Sequence, residues 1–228
     1  MKNFLENGLG VLVALSIPVI ISVLSILVLL SPLFMNLEYR RPGFPEDSYG
    51  FSTGERLDFG NQTRKYLISN QTLDVLIDLS FDSGEPIYIE RELSHLEDVK
   101  IVLQDLIQVF YGAAAVFTLG GFYARAKDWF DGYLIAIYRG GRLTASLLVI
   151  ILGLTLISFQ SLFTNFHRIF FEGDSWLFYY SDSLIRLFPV QFWQDIFLVF
   201  GLLTLAGGVM LGWVLPARRK AVLPEEAD

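Results

Sequence analysis

Cysteine is absent from this 228-residue chain, which excludes disulfides, thiolate metal sites and any cysteine nucleophile or acyl-enzyme. Histidine is nearly absent, with His95 and His167 the only two. Charge is scarce as well, at 18% of residues against 53% hydrophobic, a balance too apolar for a soluble domain with one core. No Gly-rich phosphate loop, Gly-x-Ser-x-Gly elbow, His-Glu-x-x-His pair or basic nucleic-acid patch occurs. Nucleotide-driven transport, serine-hydrolase chemistry and nucleic acid as a partner all lose their usual signatures.

What the chain has in quantity is hydrophobic length. A hydrocarbon core takes roughly 20 residues of helix to cross, and four runs reach that: about 8–34, 106–124, 143–163 and 196–215. The expected fold class is an all-α membrane protein, a four-transmembrane-helix bundle forming one membrane domain over 1–228, with a small extracytoplasmic cap between helices 1 and 2. The first run is followed by Ser31-Pro32-Leu33-Phe34 and not by a small-residue cleavage site, so it reads as a retained helix.

The net charge of −7 is unevenly spread. With both termini cytoplasmic, the inner segments hold Lys2, Arg125, Lys127, Arg139, Arg142, Arg218, Arg219 and Lys220 and sum to +2, while the outer segments sum to −9. Basic residues in short loops favour the cytoplasmic side, and only Arg40 and Arg41 oppose that orientation.

Between the first two runs, 35–94 reads as the cap. Phe51 to Ser69 is expected to be helical with Leu57, Tyr66 and Leu67 inward, and Ile87-Tyr88-Ile89 to be a short strand. Ser94-His95-Leu96-Glu97 matches a capping box, which would start helix 2 at His95. The stretch 164–195 is dense in aromatic residues, among them Phe166, Phe170, Phe171, Trp176, Phe178, Tyr179 and Tyr180, and reads as an extracytoplasmic loop lying in the headgroup region. Gly208 and Gly212 have the small-xxx-small spacing of close helix packing, expected within the chain.

In this topology both histidines fall at the outer membrane surface. A ring at a helix start faces the positive end of the macrodipole, which favours neutral imidazole and suits a general base. A metal reading is also open, because His95, Asp98, His167 and Asp174 offer nitrogen and oxygen ligands, though without a recognised spacing. So is the bland reading, in which both rings are interfacial side chains on a membrane scaffold. His95 and Asp98 lack the four intervening residues of the glycerolipid acyltransferase His-Asp pair.

The order of four helices, the exit segment Leu37-Glu38-Tyr39-Arg40-Arg41-Pro42-Gly43-Phe44, the stretch Ser94 to Lys100, and Asn165-Phe166-His167-Arg168-Ile169-Phe170-Phe171-Glu172-Gly173-Asp174-Ser175-Trp176 resemble the lipoprotein intramolecular transacylase (Lit) family of bacterial membrane proteins. The resemblance implies a multi-pass protein of the bacterial cytoplasmic membrane, acting at the outer leaflet. It implies transfer of the sn-2 acyl chain of a diacylglyceryl-modified lipoprotein N-terminal cysteine to its α-amino group, giving a lyso-form lipoprotein. Donor and acceptor share one molecule, so no cofactor and no protein nucleophile are needed, and a monomer suffices. His95 is then expected as the base and His167 as the acid or oxyanion holder. Asp98 and Asp174 are candidates to orient the rings or meet the substrate ammonium, and Asn165, Trp176, Tyr39 and Arg40 are candidates for substrate contact by motif position. The rival functions are a non-enzymatic scaffold or accessory subunit and a metal-dependent membrane hydrolase.

Overall fold

The structure, a computed structural model, describes residues 2–216 and is helical, with no strand among the described residues. In chain order the helices are α1 (Lys2–Leu29), α2 (Pro32–Arg40), α3 (Thr53–Ile68), α4 (Asp74–Ile77), α5 (Glu90–Ala126), α6 (Phe130–Ile157), α7 (Phe159–Phe170), α8 (Ser183–Leu187) and α9 (Val190–Val209), the last continuing into a π-helical turn, Met210–Val214. Four are long and apolar enough to cross a membrane: Phe4–Leu29, Glu90–Ala126, Phe130–Leu154 and Val190–Val214. The basic residues Arg218, Arg219 and Lys220 lie outside the described residues.

Helix boundaries depart from the hydrophobic runs where a capping residue intervenes. The run expected over 8–34 is two helices, because Ser31 takes an extended conformation and its side chain accepts from Phe34 N at 3.2 Å. Pro32, lacking an N–H, then starts α2. The run expected over 143–163 is also divided. Helix α6 begins thirteen residues earlier, at Phe130, and ends before Ser158, which caps α7 by accepting from Ser161 N at 3.2 Å.

Helix α5 does not start at His95. It starts at Glu90, and Ser94 sits in its interior. The real start uses Glu92, whose carboxylate accepts from Ile89 N at 2.9 Å and from Leu184 N at 2.6 Å. A long-range acceptor role for Glu92 thus overrides the local capping-box signal at Ser94. Nor is Ile87-Tyr88-Ile89 a strand; the ladder is limited to one isolated bridge between Ser80 and Pro86. Ile87 and Tyr88 instead plug the core, with the Tyr88 hydroxyl 2.5 Å from that of Thr63.

The packing divides the chain into two units. One comprises Met1–Ile26, Ile107–Leu154 and Val199–Asp228. Here helices meet backbone to backbone: a Cβ on Gly141 would lie 2.5 Å from Gly212 N, and one on Gly208 would lie 2.8 Å from Ala145 N. Gly208 and Gly212 thus serve packing against α6 inside the chain, and Arg142 Nε donates to the Gly212 carbonyl at 3.1 Å in the π-helical turn. Thr204 donates to Ser25 at 3.0 Å, satisfying two buried hydroxyls.

The second unit comprises Leu27–Leu106 and Thr155–Leu198. The segment 35–94 and the segment 164–195 share its core. Met35, Leu57, Tyr66 and Ile87 from the former bury with Leu184, Leu187 and Phe192 from the latter. The aromatic stretch is therefore split in its surroundings: Phe171, Trp176, Phe188 and Phe192 are buried in protein, while Phe170, Tyr179 and Tyr180 are exposed.

Candidate functional site

The two histidines meet. His95 on α5 and His167 on α7 are 6% and 9% exposed, with ring centroids 6.1 Å apart and planes inclined by 22°. Aromatic side chains enclose the pair. Phe171 touches both rings, at 4.8 Å from His95 and 5.5 Å from His167. Phe178 lies 5.4 Å from His95, and Phe163 and Trp176 lie 4.1 Å and 4.9 Å from His167.

Local structure accounts for this arrangement. In α7, Phe163 and His167 are four residues apart and share a face, so ring stacks on ring. After α7, Gly173 takes a left-handed conformation (φ 60°) and its carbonyl accepts from Trp176 Nε1 at 3.2 Å. That turn brings the indole back over the imidazole of the preceding helix.

The two rings differ in how they are held. His167 Nδ1 lies 2.8 Å from the Phe163 carbonyl, which can only accept, so Nδ1 carries the proton and the lone pair of the neutral ring is on Nε2. Burial pulls the His167 pKa below its ordinary value of 6.5, an effect the bond to Phe163 opposes only in part. His95 Nδ1 is enclosed with no hydrogen-bond partner. Its ring packs against Phe171 and Phe178. The helix-start argument for His95 does not apply, since it is the sixth residue of α5 and the macrodipole acts mainly within the first turn. Two imidazoles walled by aromatic rings are placed to exchange protons with a bound group.

Of the other expected site residues, only Trp176 joins the histidines. Tyr39 is buried in the core of the second unit, its hydroxyl donating to the Leu187 carbonyl and its ring against Phe44 and Phe192. Arg40 is exposed. Its neighbour Arg41 makes the contacts instead, pairing with Glu38 at 2.8 Å and with Asp195. Asn165 is on the exposed side of α7 and Asp174 in an exposed turn, where its carbonyl accepts from Leu177 N. Asp98 is half-buried. Neither carboxylate bonds to a histidine, and among the described residues no three His, Cys, Asp or Glu side chains group as a metal site would require.

Sequence reasoning passed over Phe163, which it placed at a membrane-helix end, and over Arg91 and Glu92. The signal for Phe163 was its helical spacing from His167. For Arg91 and Glu92 no local signal existed, because their partners Asp182 and Leu184 are some ninety positions away.

The family model for "Lipoprotein intramolecular transacylase Lit" matches residues 10–193. An uncharacterized protein of Aquifex aeolicus is 32% identical over 195 residues, covering 82% of this chain and 87% of that one. The fold is shared with the membrane integral lipoprotein intramolecular transacylase Lit from Bacillus cereus, at a TM-score of 0.79 and 20% identity over 97% of this chain and 100% of that one. A version of the Bacillus protein with a histidine-to-alanine substitution superposes at 0.71, with 18% identity over 97% of this chain and 98% of the other. With more than half its length matched and four apolar helices in place, the chain belongs to the lipoprotein intramolecular transacylase (Lit) family of membrane-integral proteins.

Proposed function

We propose that this protein is an intramolecular transacylase that moves the sn-2 acyl chain of a diacylglyceryl-modified lipoprotein cysteine to the α-amino group of that cysteine. The observation that carries this reading is the meeting of the only two histidines inside an aromatic enclosure. The substrate class comes from the family, and the direct amine-to-ester route accords with a chain that has no cysteine.

The chemistry balances without water or cofactor. The α-amine, with a pKa of about 8, must reach its free-base form and attack the ester carbonyl. As the N–C bond forms, the nitrogen gives a proton to His167 Nε2, the lone pair left free by the bond from Nδ1 to Phe163. Roles are thus the reverse of the sequence-based expectation, with His167 as base. The tetrahedral intermediate then collapses, the C–O bond breaks, and the glycerol oxygen takes a proton from His95 Nε2. The proton on His167 restores the pair, leaving an amide and a free hydroxyl. Excluding water favours transfer to the amine over hydrolysis. Aligning amine and ester on one molecule can supply up to about 7–11 kcal/mol of the barrier reduction.

The proposal includes a place. The charge-free part of α5 is 106–124, and His95 precedes it by eleven residues, about 16 Å along the helix at 1.5 Å per residue. We place the site at the outer leaflet of a bacterial cytoplasmic membrane, with both termini inside, 35–94 as an extracytoplasmic cap and the exposed Ile169, Phe170, Tyr179 and Tyr180 against lipid. A monomer suffices, since Gly208 and Gly212 are used within the chain.

The test is mass spectrometry of the N-terminal lipopeptide of a reporter lipoprotein, made in cells that lack other N-acylation activity. The N-acyl lyso form should appear with the intact protein and not with His167→Ala or His95→Ala. An unchanged diacyl form with the intact, membrane-inserted protein would refute the reading and favour a non-enzymatic scaffold.

A further inference from the structure

We infer that Glu92 is a positioning residue for the His95 ring, acting by fastening the stretch 178–184 to the turn of α5 that carries the histidine. The kinetic part of this inference rests on the proposed transacylation; the spectroscopic part stands without it.

Glu92 is 1% exposed, and both its carboxylate oxygens accept from backbone amides, Oε2 from Ile89 N at 2.9 Å and Oε1 from Leu184 N at 2.6 Å. Capping a helix does not call for this. A surface serine or asparagine satisfies the same donors, whereas an enclosed carboxylate is costly unless fully bonded. What the buried position adds is the bond to Leu184, in the first turn of α8.

The preceding residue does the same. Arg91 Nη2 donates to Asp182 Oδ2 at 2.7 Å, that oxygen also accepts from Tyr179 N at 2.8 Å, and the guanidinium lies 5.2 Å from the centre of the Phe178 ring. Adjacent residues of α5 therefore grip positions 182 and 184, and the stretch they hold delivers Phe178 to His95 at 5.4 Å. Arg91 and Glu92 are four and three residues before His95, on the same face of the helix.

His95 has need of such a device. The His167 ring is fixed by its own hydrogen bond to Phe163, but His95 Nδ1 has no partner, and ring contacts with Phe171, Phe178 and the neighbouring imidazole orient it. Loosening the stretch 178–184 removes one of those restraints and leaves His167 as it is.

Because the chain has only two histidines, 15N-histidine labelling of the full-length protein in detergent micelles gives two sets of ring signals. In Glu92→Ala the His95 signals should shift or broaden while those of His167 stay in place. The transacylation kcat should fall about tenfold, the order of effect a small misplacement produces. KM should stay within about twofold, since substrate binding is not what Glu92 supports. Glu92→Gln keeps one acceptor oxygen and should fall between wild type and alanine; if the alanine variant does not fold, this one carries both readouts. Unchanged His95 signals, or movement of both histidines together with a lowered Tm, would overturn the inference and leave Glu92 as a general structural cap. A wild-type protein without transacylation would sink the proposed function and leave the spectroscopic test in force.

Discussion

The two units differ in how their helices make their closest contacts. In the first, α6 and the end of α9 approach so closely that glycine is the only side chain with room at Gly141 and Gly208. In the second, helices are held apart by rings, by cations lying over rings, such as Arg56 over Tyr39 and Phe44, and by enclosed carboxylates that bond to backbone amides. Backbone contact leaves no volume for a reacting group. Both histidines of the chain lie in the unit built on aromatic contacts. The proposed chemistry falls in the unit whose histidines are walled by rings.

The sharpest way to test this division is to remove the chemistry and keep the spacers. His167→Gln, which keeps most of the side-chain volume, should reduce transacylation by about 100-fold or more, the usual scale for a general base, with a much smaller fall in melting temperature than His167→Ala, which leaves a cavity among the rings. A quantitative lipopeptide assay beside a thermal melt separates the two quantities. Activity within a few-fold of wild type would show that the enclosure, and not the imidazole, does the chemistry.

The converse variant damages the other unit. Gly208→Leu would drive a side chain into the Ala145 amide and the Gly141 carbonyl, 2.8 Å and 2.9 Å from the ideal Cβ. Backbone cannot step aside as a flexible side chain does, so the loss of stability should reach or exceed the roughly 1–3 kcal/mol of ordinary overpacking. Denaturant unfolding in detergent should show it. A stable, active Gly208→Leu protein would mean that the close approach of the helices is not required.

How far each feature could be read in advance depended on how local its cause was. Four membrane-scale runs, the Gly208–Gly212 spacing and the proximity of the two histidines follow from length, spacing and topology, which sequence displays directly. The start of α5 was misplaced by five residues because Ser94–Glu97 is a valid local cap, and nothing nearby announces that Glu92 bonds to Leu184 instead. Motif position alone points to Tyr39 and Arg40 as substrate contacts. Tyr39 is a core residue bonded to Leu187, and Arg41, not Arg40, pairs with Glu38 and Asp195. The roles of the histidines were assigned from a dipole that acts at a helix end; a single backbone carbonyl, that of Phe163, decides the tautomer of His167.

A smaller effect is expected from the electrostatics of the enclosed ring. Burial lowers the His167 pKa, so at pH 6.5 a smaller share of the ring is protonated than the half of an ordinary histidine. The acid limb of kcat should therefore lie below pH 6.5, and the shift should disappear if Phe171 and Trp176 are cut back to admit water. Stability has the matching sign. The depressed pKa contributes stability in full above 6.5, and this is lost as pH falls from there through the folded-state value, when the unfolded chain takes up a proton that the folded one resists. An acid limb at or above 6.5 would mean that water reaches the ring.

The smallest effect is expected from the residues that motif position favoured and geometry does not. Asp174 is exposed and its carboxylate bonds to neither histidine, so Asp174→Asn should leave kcat/KM within about twofold of wild type, well under the 10²–10⁴ of a group that moves a proton. Trp176→Leu, two positions on, removes a ring 4.9 Å from His167 and should cost more, mainly in kcat, because the proposed base would lose a wall and not a contact to the peptide. The order of the two variants is the test. If Asp174→Asn were the more damaging, the turn at Gly173 would have to swing in when substrate binds and bring the carboxylate to the substrate ammonium. In that case the enclosure of the second unit would be completed by the lipoprotein itself.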